Sequence, residues 1–101
     1  MSKHIKKDQW VYVVIQNPNN NAQYLGQEEK ETGISFIPIF LEKEEALMCL
    51  NLMARDRSAP VEVQAVIYEE LAAQADTAGF RLYLLNKAGE VIEKITPANQ
   101  N

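Results

Sequence analysis

Ile34-Ser35-Phe36-Ile37-Pro38-Ile39-Phe40-Leu41-Glu42-Lys43-Glu44-Glu45-Ala46-Leu47-Met48-Cys49-Leu50-Asn51-Leu52-Met53-Ala54-Arg55-Asp56 decides the reading of this chain. Its first part is an apolar run of strand length, and from Glu42 onward the apolar spacing changes from period two to the helical period. Glu42, Glu44 and Glu45 crowd what becomes the first turn, where negative charge suits the exposed amide end of a helix. Arg55 and Arg57 stand at the other end. No Gly or Pro interrupts 42–56, and Ala, Leu and Met favour helix, so the spacing predicts a helix over that range. At about 100° per residue, Ala46, Leu47, Cys49, Leu50, Met53 and Ala54 share one broad apolar arc, with Glu44, Asn51 and Arg55 opposite. Met48 and Leu52 fall outside the arc, one turn apart, near the polar side. Two readings stand for them: a wide helix face covered by a loop, or a protein-protein contact, since exposed Met and Leu mark partner surfaces. Cys49 falls inside the arc and reads as a small core residue, because a reactive thiolate needs a cation or base beside it.

Working outward, Trp10 to Ile15 is all β-branched or aromatic, with apolar groups at both parities, which predicts a strand buried on both faces. Trp10 at its start could sit at the sheet's rim and stack on a ligand. The run Asn17-Pro18-Asn19-Asn20-Asn21 is a loop, because Asn tolerates left-handed backbone and Pro fixes one φ. The amides of Asn17, Asn19 and Asn20 could bind a polar ligand, but the loop lacks the Gly pattern and Lys of a phosphate cradle. Residues 23–27 form a weak strand, and 28–33 turn back into Ile34. Glu28, Glu29 and Glu31 read as a solvated turn, because the Gly-bearing calcium loop is absent.

Beyond the helix, Ser58-Ala59-Pro60 is a break. Val61 to Ile67 alternates cleanly, Tyr68 to Ala78 is a second helix with Leu71, Ala75 and Ala78 on one face, and Gly79 is its left-handed stop. Phe80 to Leu85 is a strand with Phe80, Leu82 and Leu84 inward and Arg81 and Tyr83 outward. The loop 86–89 leads to a return strand over 90–95. Residues 1–8 and 96–101 read as flexible tails around one domain, 9–95. The single His4 lies in the first of them. Pro38 cannot donate to a ladder, so its strand bulges, ends there or turns that position outward.

The order strand, strand, strand, helix, strand, helix, strand, strand predicts an α+β, two-layer sandwich, with a mixed sheet of five or six strands and both helices on one face. The second, wet face of Glu62, Gln64, Arg81 and Tyr83 is then an open surface. Phe-Ile-Pro-Ile-Phe with Glu-Glu-Ala, Trp-Val-Tyr-Val-Val-Ile before it, and Val-Glu-Val-Gln-Ala-Val, Glu-Glu-Leu and Ala-Gly-Phe after it resemble a small uncharacterised domain of cyanobacteria and plastids. The segment around Pro38 and Glu45 is also similar to the N-terminal domain of SseB-type proteins. The likeness spans 11–85 and departs from the cyanobacterial pattern in the Asn-rich loop and over 23–31. It implies a fold, and it lends no catalytic residue.

With 101 residues and a net charge of −4, the chain is one domain, and nucleic acid and anionic membrane are disfavoured as partners. One cysteine forbids an internal disulfide and points to a reducing compartment. Lys3, Lys6 and Lys7 are followed by no apolar segment of signal-peptide type, and no run is long enough to span a bilayer. The expectation is a cytoplasmic, non-catalytic protein-interaction or regulatory module that meets a protein partner or a second copy of itself, with its contact surface at Met48 and Leu52. The alternative is a small-molecule site near Trp10 and the loop of Asn17, Asn19 and Asn20, joined by Arg81 and Tyr83. No catalytic residue, metal or cofactor is implied by any spacing.

Overall fold

Trp10–Gln16 (β1) is the strand against which the rest assembles, and its alternation explains why. In a computed structural model that describes residues 2–95, Val11, Val13 and Ile15 enter one buried cluster and Val14 enters another, with Tyr12 packed against that second one. Side chains of opposite parity point to opposite faces, so both faces of β1 are covered. The expected tail 96–101 lies outside the described residues.

The elements that follow are Gln23–Tyr24 (β2), Gln27–Glu28 (β3), Ser35–Ile39 (β4), Lys43–Cys49 (α1), Val61–Ile67 (β5), Tyr68–Ala78 (α2), Arg81–Leu85 (β6) and Val91–Ile95 (β7). The fold is α+β. Among the described residues the strands form two sheets, ordered β2-β1-β5 and β3-β4-β6-β7. They are stitched where Tyr12 and Phe40 exchange backbone hydrogen bonds of 2.9 and 3.0 Å. Through that bridge the five long strands run β5-β1-β4-β6-β7, antiparallel except for β4 with β6.

Pro38 explains why the seam is a single bridge. Continued by two residues, the antiparallel register of Tyr12 with Phe40 would set Val14 opposite Pro38, which has no N–H to give. The Val14 carbonyl instead accepts from the Leu25 amide at 2.8 Å. The short strands β2 and β3 fill the gap, one pairing with Ile15 and Gln16, the other with Ser35 and Phe36.

The helices divide between the faces, where the sequence pattern predicts both on one. Ala46 and Cys49 of α1 pack with Val14, Phe40, Tyr83 and Leu85, whereas Tyr68, Leu71 and Ala75 of α2 pack with Val11, Val13, Leu82 and Leu84. Handedness accounts for this. The connection β4-α1-β5 steps one way across β1, and β5-α2-β6 steps back across β1 and β4. All three strands are parallel, so two right-handed crossovers in opposite directions lay their helices on opposite faces.

Two further expectations are corrected. The first helix ends at Cys49, and a 3-10 turn over Leu50–Leu52 gives way to extended backbone at Met53. The Gln27 side chain takes over the backbone there: its amide donates to the Ala54 carbonyl at 2.8 Å and its oxygen accepts from the Ala54 N–H at 2.9 Å. Met53 turns into the α1-side core. Of the expected tail 1–8, the described residues 2–8 are docked rather than frayed. Ile5 is 7% exposed within the α2-side core. The Lys7 and Gln9 carbonyls accept from the Glu69 and Tyr68 amides at 3.0 and 2.9 Å, satisfying the start of a helix that has no side-chain cap. Gly79 ends α2 in the left-handed conformation, φ 82°, as its position predicts.

Candidate functional site

Met48 and Leu52 stand in solvent, 58% and 64% exposed, on the side of α1 and its 3-10 extension that the core leaves free. No loop covers them among the described residues. The turn between β6 and β7 runs alongside. Gly89, at φ 80°, lies so close that a Cβ there would be 3.6 Å from both Cys49 Sγ and Leu52 Cδ1. The turn is braced from within. The Asn86 side-chain oxygen accepts from the Ala88 and Glu90 amides at 2.9 and 3.0 Å, and its amide nitrogen donates to Glu90 Oε1 at 2.8 Å. Between this wall and α1 opens a groove of about 720 Å³. Tyr12 and Met48 supply its apolar surface, Glu42, Glu44, Glu45 and Glu90 its acids, and Lys43 and Lys87 its bases. The acids outnumber the bases. Cys49 is buried beneath, its thiol pushed up by burial, which makes it an inert core group.

The residues expected to meet around a ligand are not brought together. Trp10 is 57% exposed, on the same face as Tyr12. Asn17 lies beyond the other end of β1, about 23 Å away at ~3.3 Å per residue. The Asn loop is a self-contained turn. Asn17, at φ 54°, donates its N–H to the Pro60 carbonyl at 2.8 Å and accepts from the Asn20 amide at 3.0 Å. Asn19 and Asn20 are exposed, as is Arg81 at the start of β6.

Tyr83 is a correction: expected to face outward, it is 2% exposed. Its parity is as expected, but the face it points to is roofed by the chain between β2 and β4. Its ring stacks on Phe36, centroids 4.2 Å apart and planes at 12°. Its hydroxyl donates to Glu29 Oε1 at 3.1 Å, and Lys94 Nζ bonds Glu29 Oε2 at 2.6 Å while standing 5.4 Å from the Tyr83 ring centroid. Burial and then the adjoining Glu29 carboxylate push the phenol up. Hydrogen bonds from Lys94, Thr32 and Tyr83 hold Glu29 below the ordinary carboxylate range. Glu29 therefore fastens a lid over the aromatic pair and is not a solvated turn acid.

A smaller hollow of about 330 Å³ opens on the α2 face, lined by Tyr24, Ile37, Gln74, Ala75 and Phe80. The Tyr24 hydroxyl donates to the Gln74 side-chain oxygen across its mouth. Sequence reasoning missed it, because it joins a two-residue strand to a helix face some fifty positions later. Among the described residues no three His, Cys, Asp or Glu side chains gather so as to hold a metal ion, and no helix is long and apolar enough to cross a membrane. The chain matches no family model, no curated protein and no solved structure.

Proposed function

We propose that this chain is a non-catalytic protein-interaction module of the cytoplasm, and that the ridge of Met48 and Leu52 with its acidic groove is the contact surface. The observation that carries the reading is the exposure of two large, adaptable apolar side chains one helical turn apart beside a braced wall. Apolar area of this kind is held in water at a cost of about 25 cal/mol per Å² relative to burial, and it becomes binding energy when a partner covers it. The groove supports a partner of definite character. Glu42, Glu44, Glu45 and Glu90 against Lys43 and Lys87 suit a segment with an apolar anchor flanked by basic residues. The resemblance to the cyanobacterial and plastid domain adds no chemistry to this, so the reading rests on the surface alone.

Selection from a displayed peptide library, with the full chain as bait, tests it. Enriched sequences should pair a large apolar residue with Lys or Arg. They should lose binding to Met48→Glu/Leu52→Glu and weaken as salt rises. Enrichment that the double variant leaves untouched, or of acidic peptides only, would sink the reading.

A further inference from the structure

We propose that β5 is a self-pairing edge, through which two copies of the chain join antiparallel about a two-fold axis at Gln64. This surface is separate from the α1 ridge and stands whether or not that ridge binds a partner. Hydrogen-bond phase decides which residues of β5 face outward. The β1–β5 ladder is bracketed by Asn17 N–H to the Pro60 carbonyl and Tyr68 N–H to the Gln9 carbonyl. The register between them is unbroken from Trp10 opposite Ile67 to Gln16 opposite Val61. Bonded pairs alternate in an antiparallel ladder, so Glu62, Gln64 and Val66 spend their backbone groups on β1. Val61, Val63, Ala65 and Ile67 aim theirs outward. Among the described residues β5 pairs with β1 alone, which leaves a row of open donors and acceptors.

Natural sheets guard such rows with Lys, Pro, bulges or covering chain. The opposite edge is guarded in this way. A register shift falls between Leu84 and Leu85 where β6 meets β7, Lys94 sits in β7, and its Glu93 is clasped by Ser2, Lys3 and His4. The β5 edge has no bulge, no Pro and no Lys, and Glu62 is its one charge.

The strand is also complementary to itself. An antiparallel pair centred on Gln64 sets Val63 opposite Ala65 and Val61 opposite Ile67, and all four are outward-bonding residues. It sets Glu62 opposite Val66, so no like charges meet, and brings the two Gln64 amides side by side. A two-fold centred on Val63 or Ala65 instead would leave one outward residue without a partner. The occupant that fits the whole edge is therefore a second copy in an isologous pair.

Light scattering on a sizing column, across a dilution series, should give about twice the 11.5 kDa chain mass at high concentration, falling on dilution. Ala65→Pro removes an outward donor and leaves the β1 ladder intact. It should give the single-chain mass with an unchanged far-ultraviolet circular dichroism spectrum. Should Ala65→Pro not fold, Gln64→Lys, which sets two cations against each other across the axis, should dissociate the pair and recover it in high salt. In a Cys49→Ala background Gln64→Cys should oxidise to a covalent dimer, whereas Glu62→Cys should not. Met48→Glu/Leu52→Glu should leave the dimer intact. A single-chain mass up to roughly 1 mM, a dimer that survives both Ala65→Pro and Gln64→Lys, or cross-linking through Glu62→Cys instead of Gln64→Cys would overturn the proposal.

Discussion

Ile5→Ala should destabilise the domain by roughly 2–4 kcal/mol, although residue 5 lies in what the sequence pattern marks as a frayed tail. The side chain is 7% exposed and belongs to the cluster that holds Tyr68, Leu71 and Leu84. Truncation to Ala removes about three methylene-sized groups at ~0.8 kcal/mol each, and the unfilled space adds to that. A chain of 101 residues is stable by roughly 5–15 kcal/mol, so the loss is a large share of the total. The melting temperature should fall by roughly 8–30 °C, at about 4–8 °C per kcal/mol. Urea titration followed by far-ultraviolet circular dichroism measures the change, with exposed Lys6→Ala as a control expected to stay within about 0.5 kcal/mol. An Ile5→Ala variant as stable as the Lys6→Ala control would mean that the segment is not docked, and that the bonds from Lys7 and Gln9 to the start of α2 do not hold it.

Three other outcomes follow from single contacts. Gly26→Ala would place a methyl 2.8 Å from Phe80 Cε1, so it should cost about 1–3 kcal/mol by overpacking, and Phe80→Leu, which vacates that space, should relieve part of the loss in a double-mutant cycle. Gly79→Ala forces a Cβ into the left-handed conformation at φ 82° and should cost about 1–2 kcal/mol, read as a lower urea midpoint with unchanged slope. Glu29→Gln should be less stable than the native chain at pH 7, with the gap narrowing as the pH is taken below 4.5. The folded carboxyl titrates below its ordinary 4.5, so its stabilisation is present above that value and is lost as pH falls through the folded pKa; a gap of the same size at every acid pH would mean that the Glu29 carboxylate does not stabilise the fold.

What the sequence makes legible here is what repeats locally. The two-sided alternation of β1, the stop at Gly79 and the place of Met48 and Leu52 off the apolar arc each follow from neighbours within a turn or a strand, and each stands in the structure, whereas the sequence left open whether a loop covers that pair. The rest depends on partners far along the chain. The helix predicted through Asp56 fails because Gln27, from a two-residue strand, captures the Ala54 backbone. The tail is ordered because Glu93 takes bonds from residues about ninety positions earlier. Burial pushes that carboxyl up, but His4, the Lys3 amide and Ser2 together hold it down. Tyr83 has the parity expected of it, and only its cover was hidden, because period two tells which face a residue takes and not what lies over that face.

The position of β5 at the rim is a consequence of the crossovers, and it links the fold to its proposed surfaces. β5 is the strand that receives α1 and feeds α2, so both of its faces have helical neighbours while β1 occupies one of its two edges. The other edge can be closed only by further chain, and the connections on either side of β5 are already committed: Pro60 bonds Asn17, and Tyr68 bonds Gln9. Those bonds fix both ends of β5 against β1, and no bulge interrupts the register between them. Its outward residues Val61, Val63, Ala65 and Ile67 are apolar, so an approaching strand would meet no charge on them. The fold thus gathers four acids along the α1 groove, Glu42, Glu44, Glu45 and Glu90, and leaves Glu62 as the one charge on β5. The two proposed contacts therefore draw on different interactions, charge at the α1 groove and hydrogen-bond register along β5.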